Sequence, residues 1–304
     1  MKSFFQSCGK LLLTGEYAIL DGATGLALPT KYGQSMTVCP AATQQLTWKS
    51  FDNDGKIWYE AVFSLSDIIK NKIVYADDFS VRLLSLFTEI QRQNPLFFKA
   101  SEGFYIETHL DFPRQWGLGT SATLVANLAN WAKVDAFELL FQTFGGSGYD
   151  VAVAQQSAPI LYELDAGKPR WKPVLFQPSF SGQLFFVYLN QKQNSRSAIA
   201  WYRQKKHPES FLKSVTACTQ SILQSKDIES FSNALTQHEN LLAEALGIPS
   251  VKAQMFSDYP YAMKSLGAWG GDFVLAVGDE KTAAYFKAKG CKTVIPYAEM
   301  IKSI

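Results

Sequence analysis

The residues best suited to chemistry lie in one glycine-rich segment, 113–123, which reads Pro-Arg-Gln-Trp-Gly-Leu-Gly-Thr-Ser-Ala-Thr. Its glycines, Gly117 and Gly119, allow positive φ and a close approach of the backbone to a ligand, so consecutive N–H groups can point at one anion. A helix beginning at Thr120 or Ser121 would add unpaired N–H groups and the positive end of its dipole. The segment therefore predicts a phosphate cradle, with a hydroxyl placed to bind a phosphate-bound Mg²⁺. The alternative is a glycine-rich turn that caps an ordinary helix.

Size, composition and charge are those of an ordinary globular protein. The chain has 304 residues, of which 47% are hydrophobic and 18% charged, enough for two domains and a sizeable core. No apolar run approaches the roughly 20 residues of a membrane span, and the first residues lack the apolar core and cleavage site of a signal peptide. The net charge of +2, without a dense Lys/Arg block, gives no reason to expect a nucleic-acid partner.

The cysteines indicate a reducing compartment. All four are widely separated, and no C-x-x-C pair occurs, which argues against a zinc site and favours free thiols. We therefore expect a cytoplasmic protein that handles a small molecule, has no nucleic-acid or membrane partner, and acts as a monomer or homodimer.

The order of the predicted elements indicates an α+β protein. Asn53-Asp54-Gly55 predicts a hairpin, and apolar spacing predicts a helix over 78–93. The other predicted elements are strands near 10–13, 27–38, 103–112, 159–164, 171–176, 184–189, 273–277 and 292–295, and helices near 120–134, 135–144, 195–246 (broken at Pro208) and 280–289. A boundary near Pro178 divides the chain into an N-terminal domain over residues 1–178 and a C-terminal domain over residues 179–304.

Three constellations follow one another in a fixed order. Residues 9–20 read Gly-Lys-Leu-Leu-Leu-Thr-Gly-Glu-Tyr-Ala-Ile-Leu, the 113–123 segment is second, and residues 264–272 read Lys-Ser-Leu-Gly-Ala-Trp-Gly-Gly-Asp. Gly-Ser-Gly-Tyr-Asp at 146–150 lies between the last two. In this order they resemble the GHMP kinases, the family of galacto-, homoserine, mevalonate and phosphomevalonate kinases. The resemblance implies an N-terminal domain related to a ribosomal-protein fold, a ferredoxin-like C-terminal domain and an active site between them.

Within that family the chain looks most like the mevalonate-pathway kinases, phosphomevalonate kinases in particular. Tyr17 follows Glu16, where mevalonate kinases usually have His. The run at 146–150 resembles the Ser-Gly-Phe/Tyr-Asp segment of phosphomevalonate kinases, and the third constellation ends in Gly-Gly-Asp as it does there. One departure matters: Trp269 stands where the family has a glycine, and its indole would narrow the substrate pocket or change the loop.

The resemblance implies catalytic roles for Asp150 and Lys10. Asp150 would accept the proton of the attacking oxygen or orient that oxygen; the alternative is an Asp that caps the following helix. Lys10 would keep Asp150 ionised and neutralise charge on the transferred phosphoryl group; the alternative is a strand lysine whose ammonium reaches water.

The resemblance also implies ATP and Mg²⁺ as cofactors. The nucleotide-binding residues would be Gly117, Leu118, Gly119, Thr120, Ser121 and Ala122. Ser121 would bind Mg²⁺, and Glu138 is the candidate second ligand, with simple solvent exposure as its alternative.

On the acceptor-substrate side, the resemblance implies Glu16, Tyr17, Ser147, Gly148, Gly267, Gly270 and Gly271. Lys264 is a further candidate for binding substrate anions. Asp272 would repel phosphates unless a cation or an N–H group intervenes, and capping of the turn is its alternative role.

Taken together, the chain resembles an ATP- and Mg²⁺-dependent kinase that transfers a phosphoryl group to an acid of isoprenoid biosynthesis, with phosphomevalonate as the first acceptor and mevalonate as the second. The alternatives are a diphosphomevalonate decarboxylase-like enzyme, a sugar or homoserine kinase of the same family, and a catalytically silent member that binds a ligand.

Overall fold

The structure is a computed structural model that describes residues 1–72, 77–99, 102–156, 158–191, 199–200, 202–267, 269 and 271–302. The chain divides into two compact units. Unit 1 consists of Met1–Gly9, Tyr32–Arg114 and Leu118–Gln155, and unit 2 of Lys10–Lys31, Gln115–Gly117 and Gln156–Ile304. The domain boundary at residue 178 stays a prediction.

Unit 1 combines a sheet with helices. Two strands contribute residues to both units, β1 (Ser3–Leu12) and β2 (Gly25–Pro40). The remaining elements of unit 1 are β3 (Gln45–Phe51), β4 (Ile57–Ser64), α1 (Leu65–Ile69), α2 (Asp78–Gln93), β5 (Phe104–Leu110), α3 (Thr120–Ala132), α4 (Ala136–Thr143) and α5 (Tyr149–Ala154). Here β2 pairs antiparallel with β5, β5 pairs parallel with β3, and β3 pairs antiparallel with β4.

Apolar residues at strand spacing and at helical spacing form the core of unit 1. Leu46 and Trp48 alternate along β3 and are fully buried, as period-two spacing requires. Leu83, Phe87 and Ile90 repeat at helical spacing along α2 and are buried as well. The sheet face and the apolar side of α2 therefore belong to one core cluster.

Unit 2 contains a second sheet. Its elements after β1 and β2 are β6 (Ile160–Asp165), β7 (Lys168–Pro173), β8 (Leu184–Tyr188), α6 (Glu209–Gln224), α7 (Ile228–Leu246), α8 (Val251–Met255), β9 (Met263–Leu266), β10 (Phe273–Val277), α9 (Thr282–Ala288), β11 (Val294–Pro296) and α10 (Tyr297–Met300). The four-stranded sheet has the order β11-β8-β10-β9. The start of β2 pairs antiparallel with β6, and β6 with β7.

The structure confirms the predicted α+β class. The hairpin at Asn53-Asp54-Gly55 connects β3 and β4, and the predicted helix over 78–93 is α2. One strand is displaced: the apolar Val-Leu-Phe at 174–176 placed it over 171–176, whereas β7 covers Lys168–Pro173. The reason is that β7 is mostly exposed, so a run of apolar residues does not identify it. It is defined instead by its pairing with β6, in which Asp165 is opposite Lys168.

Among the residues that the structure describes, no helix has both the length and the apolar composition that crossing a bilayer requires.

We predict that Gly33→Ala destabilises unit 1. A Cβ at this position would overlap the carbonyl oxygen of Ser7 on β1, so the backbone has to shift, at a cost of about 1–3 kcal/mol in the free energy of unfolding. Urea unfolding of both proteins measures this difference. Gly182→Ala is the matched control, because its Cβ would meet no atom within 4 Å; equal stability of the two variants would contradict the prediction.

Candidate active site

The N-terminus of α3 has the backbone that the glycine segment predicts. Gly119 is its N-cap residue, at φ 95° and ψ 41°, and Gly117 has φ 68°. Both conformations are left-handed and favour glycine. As a glycine, the N-cap residue supplies no side-chain cap, and the N–H groups of a first helical turn have no partner within the helix. The side chain of Ser121 is exposed beside them, so this helix end offers N–H groups and a hydroxyl to an anion.

Asp150 is the second residue of α5, a helix that begins after Gly148. Gly148 is the N-cap residue and has φ 88°, so Asp150 does not occupy the capping position that was its alternative role. Its Oδ1 accepts a hydrogen bond of 3.0 Å from the Val151 N–H. The carboxylate is only partly buried, which leaves it able to meet a ligand. Ser147, just before this helix, is buried.

Glu138 is already engaged in an ion pair. One of its carboxylate oxygens lies 2.7 Å from an Arg92 guanidinium nitrogen, and Arg92 also pairs with Glu89. The Glu138 side chain is 43% exposed. Its role as a second Mg²⁺ ligand stays a prediction.

In unit 2, Lys10 and Gly117 are joined directly. The Lys10 ammonium donates a 2.8 Å hydrogen bond to the Gly117 carbonyl oxygen. A side chain at Gly117 would overlap the Asp272 carboxylate, so Asp272 packs against this glycine. The Asp272 charge also helps to raise the pKa of Tyr188, after the larger effect of burial.

A group of charged side chains is buried in unit 2. Lys264 is fully buried, and its ammonium donates to a carboxylate oxygen of Glu16, itself only 2% exposed. The same ammonium donates to the Ser265 carbonyl oxygen at 2.7 Å. Glu239 accepts from both the N–H and the hydroxyl of Ser265, at 3.1 and 2.8 Å. In this position Lys264 does not meet a dissolved anion, and its expected role as an anion ligand is wrong for the conformation described.

Burial changes the ionisation of this group. It raises the pKa of Glu16 to about 7, against the opposing effect of Lys264, and it also raises the pKa of Glu239. His238 is fully buried, and burial followed by the Lys264 charge holds its pKa well below 6.5. A neutral ring agrees with its geometry, since Nε2 accepts a 2.9 Å hydrogen bond from the Gly15 N–H. The ring proton therefore lies on Nδ1.

Tyr17 and Trp269 are also in contact. The Trp269 N–H donates to the Tyr17 hydroxyl at 2.7 Å, and both side chains are 7% exposed within one apolar cluster. The expectation that the indole would narrow a substrate pocket stays untested. Gly267 has φ 69°, whereas Gly270 lies outside the described residues. The acceptor roles predicted for Glu16, Tyr17, Ser147, Gly148, Gly267, Gly270 and Gly271 stay predictions.

Sequence reasoning missed the part played by His238 and Glu239. A signal was present, because His238 lies three residues after Leu235 and four before Leu242, on the apolar side of α7. That spacing predicts burial, and a buried imidazole needs a partner.

In the part of the chain that the structure covers, no three His, Cys, Asp or Glu side chains are placed to hold a metal ion together.

Comparison with known proteins identifies the fold. No family model matches the sequence, and neither does any curated protein. Among solved structures, the mevalonate kinase of Methanococcus jannaschii is similar at 17% identity and a TM-score of 0.68, over 97% of this chain and 96% of that one. The Streptococcus pneumoniae phosphomevalonate kinase in complex with phosphomevalonate and AMPPNP is similar at 16% identity and a TM-score of 0.70, over 94% and 95%.

The likeness extends to a sugar kinase. The Lactococcus lactis galactokinase in complex with galactose is similar at 14% identity and a TM-score of 0.65, over 99% of this chain and 94% of that one. The GHMP kinase fold predicted from the three constellations is therefore confirmed over nearly the whole chain. At these identities the likeness is one of fold, and the substrate is not defined by it.

We predict that His238 stays neutral, with its proton on Nδ1, when the pH is lowered to the ordinary histidine pKa of about 6.5. Its pKa is lowered in the folded chain, whereas the unfolded chain takes up a proton below pH 6.5, so this residue favours unfolding as the pH falls through that value. Nitrogen-15 NMR of the imidazole rings, assigned with a His238→Gln variant, measures both points. A His238 signal that titrates near pH 6.5 would contradict the prediction.

Proposed function

We propose that this chain is an ATP- and Mg²⁺-dependent small-molecule kinase of the GHMP type, with phosphomevalonate as the first candidate acceptor and mevalonate as the second. The observation that carries the proposal is the start of α3, where left-handed Gly119 leads into a first turn without a side-chain cap, beside the exposed Ser121 hydroxyl. This arrangement suits the phosphates of a nucleotide. The known complex of a similar kinase with AMPPNP supports ATP as the donor.

The proposed reaction is transfer of the γ-phosphoryl group. An acceptor oxygen forms a bond to the γ-phosphorus, the bond from that phosphorus to the β,γ-bridging oxygen breaks, and ADP leaves. With a hydroxyl acceptor, the Asp150 carboxylate takes the hydroxyl proton. With a phosphate acceptor, which is largely ionised at neutral pH, Asp150 would orient the attacking oxygen instead.

Lys10 supplies positive charge in this proposal. Its ammonium donates to the Gly117 carbonyl oxygen, which fixes it on the glycine segment. A cation held in place in this way stabilises the charge of the transferred group without having to reorganise during the reaction.

The donor set fits Mg²⁺ only in part. Mg²⁺ prefers oxygen ligands and binds through few protein groups together with substrate phosphates. Ser121 offers an exposed hydroxyl, whereas the Glu138 carboxylate is paired with Arg92. We propose Ser121 as one protein ligand and Glu138 as the second. When bound, the ion would neutralise phosphate charge.

The direct test is ADP release from the purified chain with Mg·ATP and, in parallel, phosphomevalonate, mevalonate, diphosphomevalonate, homoserine and galactose. The proposal expects turnover with one acid of the mevalonate pathway. Release of carbon dioxide with diphosphomevalonate would indicate a decarboxylase instead. Absence of turnover with every acceptor would remove these substrates, and absence of ATP binding as well would leave only a silent, ligand-binding member of the fold.

We predict that Asp150→Asn lowers kcat with a hydroxyl acceptor by at least about 10²-fold, because the amide takes up no proton. Steady-state kinetics measures the loss, and circular dichroism checks the fold. Asp78→Asn is the matched control, since Asp78 also lies in the first turn of a helix of unit 1 and is exposed. Near-wild-type activity of Asp150→Asn would remove Asp150 from the mechanism.

We predict that Lys10→Met lowers kcat by about 10²–10³-fold, the usual cost of removing one donor that stabilises transition-state charge. Lys172→Met, which removes an exposed strand lysine, serves as the control and should retain full activity. If the two variants are equally active, Lys10 is a strand lysine without a catalytic role.

A further inference from the structure

Tyr17 stands in a backbone conformation that its residue type disfavours. Its φ is 61° and its ψ is −48°, and a positive φ is uncommon and unfavourable for any residue other than glycine. Such a conformation persists only when the surroundings determine it. Three consecutive residues, Gly15 to Tyr17, supply those surroundings, because each is bonded to a different part of unit 2.

The first two bonds come from buried groups. The Gly15 N–H donates to His238 on α7, and the Glu16 carboxylate accepts from Lys264 on β9. Removing either Glu16 or Lys264 would leave its partner buried without a counter-charge, which is strongly destabilising. The two contacts fix the backbone on the N-terminal side of Tyr17.

The third bond is the Tyr17–Trp269 pair, defined by the hydrogen bond from the Trp269 N–H to the Tyr17 hydroxyl. Trp269 is held at its other end as well, because its indole N–H donates to the Pro249 carbonyl oxygen at 3.2 Å. The Tyr17 ring stacks on Tyr202 at a centroid distance of 5.7 Å, and the Tyr202 hydroxyl donates to Asp21 at 2.8 Å. The pair therefore belongs to a buried aromatic cluster and does not face solvent.

We propose that Tyr17 and Trp269 are positioning residues of the proposed kinase: their hydrogen bond and the burial of the indole hold Trp269 of the third constellation in its working position before substrate binds. This inference rests on the proposed function. It replaces the expected contact of Tyr17 with the acceptor by an indirect role, because the Tyr17 hydroxyl is engaged by a backbone amide.

One consequence concerns recognition of the acceptor. A backbone N–H in a glycine-rich loop is an ordinary phosphate ligand, but the Trp269 N–H is used within the chain. In this proposal its role is therefore to hold Trp269 in place, and recognition of the acceptor is left to other groups. Preorganisation of this kind favours the transition state, because Trp269 does not have to be fixed in place at the moment of reaction.

The test is the variant Tyr17→Phe, which removes one hydroxyl and keeps the aromatic ring. Two quantities are measured: the hydrogen-exchange rate of the Trp269 backbone amide, which needs no activity, and kcat and both KM values at a temperature where the protein is fully folded. We expect amide exchange to become about tenfold faster and kcat/KM for the acceptor to fall by about tenfold, the upper range for loss of one hydrogen bond. Tyr261→Phe is the matched control, because it loses a tyrosine hydrogen bond to Asp279 and should change neither quantity.

The outcomes separate the two proposals. If the wild type turns over substrate and Tyr17→Phe keeps its kcat and KM values, the positioning role is overturned and the kinase proposal stands, whatever the exchange rate. Unchanged amide exchange in Tyr17→Phe would overturn the hydrogen bond itself. If the wild type turns over none of the acceptors, the kinase proposal fails and the positioning role fails with it, although the exchange measurement still reports on the pair.

Discussion

The buried ion pair between Lys264 and Glu16 is the constraint on which unit 2 depends most. Both side chains are withdrawn from water, so each requires the other, and the Ser265 carbonyl oxygen supplies a further acceptor. The pair joins β9 to the segment that follows β1, which are 248 positions apart in the sequence. Around it, His238 binds the Gly15 N–H and Glu239 binds Ser265. A buried network is stable only when its members are placed together, and this one therefore determines the backbone on which Tyr17 is held.

In unit 1 the important constraint is the backbone conformation of two glycines, and not a buried charged pair. Left-handed Gly119 and Gly148 begin α3 and α5, respectively. The first helix end presents N–H groups and the Ser121 hydroxyl, and the second places Asp150 in its first turn. Glycine is needed at both positions because a side chain disfavours these dihedral angles. The same residues thus account for the local fold and for the proposed function.

The sequence predicted what local rules control. The hairpin after β3, helix α2 and strand β10 follow from turn residues and apolar periodicity, and the three constellations led to the correct fold. The features that the sequence could not predict depend on contacts between residues far apart in the sequence. Lys264 was expected to meet substrate, because nothing near it in sequence reveals Glu16 as its partner. The hydrogen bond between Trp269 and Tyr17 spans 252 positions, and no local pattern predicted it. Glu138 was a candidate metal ligand, and its pairing with Arg92 is equally invisible to local rules.

The central claim is that the start of α3 binds the phosphates of a nucleotide, and calorimetric titration of the chain with Mg·AMPPNP tests it most directly. The account predicts saturable binding at a single site, with an affinity in the micromolar to millimolar range usual for enzyme substrates. Ser121→Ala should weaken this binding. Absence of any binding at millimolar nucleotide would contradict the account, because a chain with this fold that binds no nucleotide cannot act as a kinase.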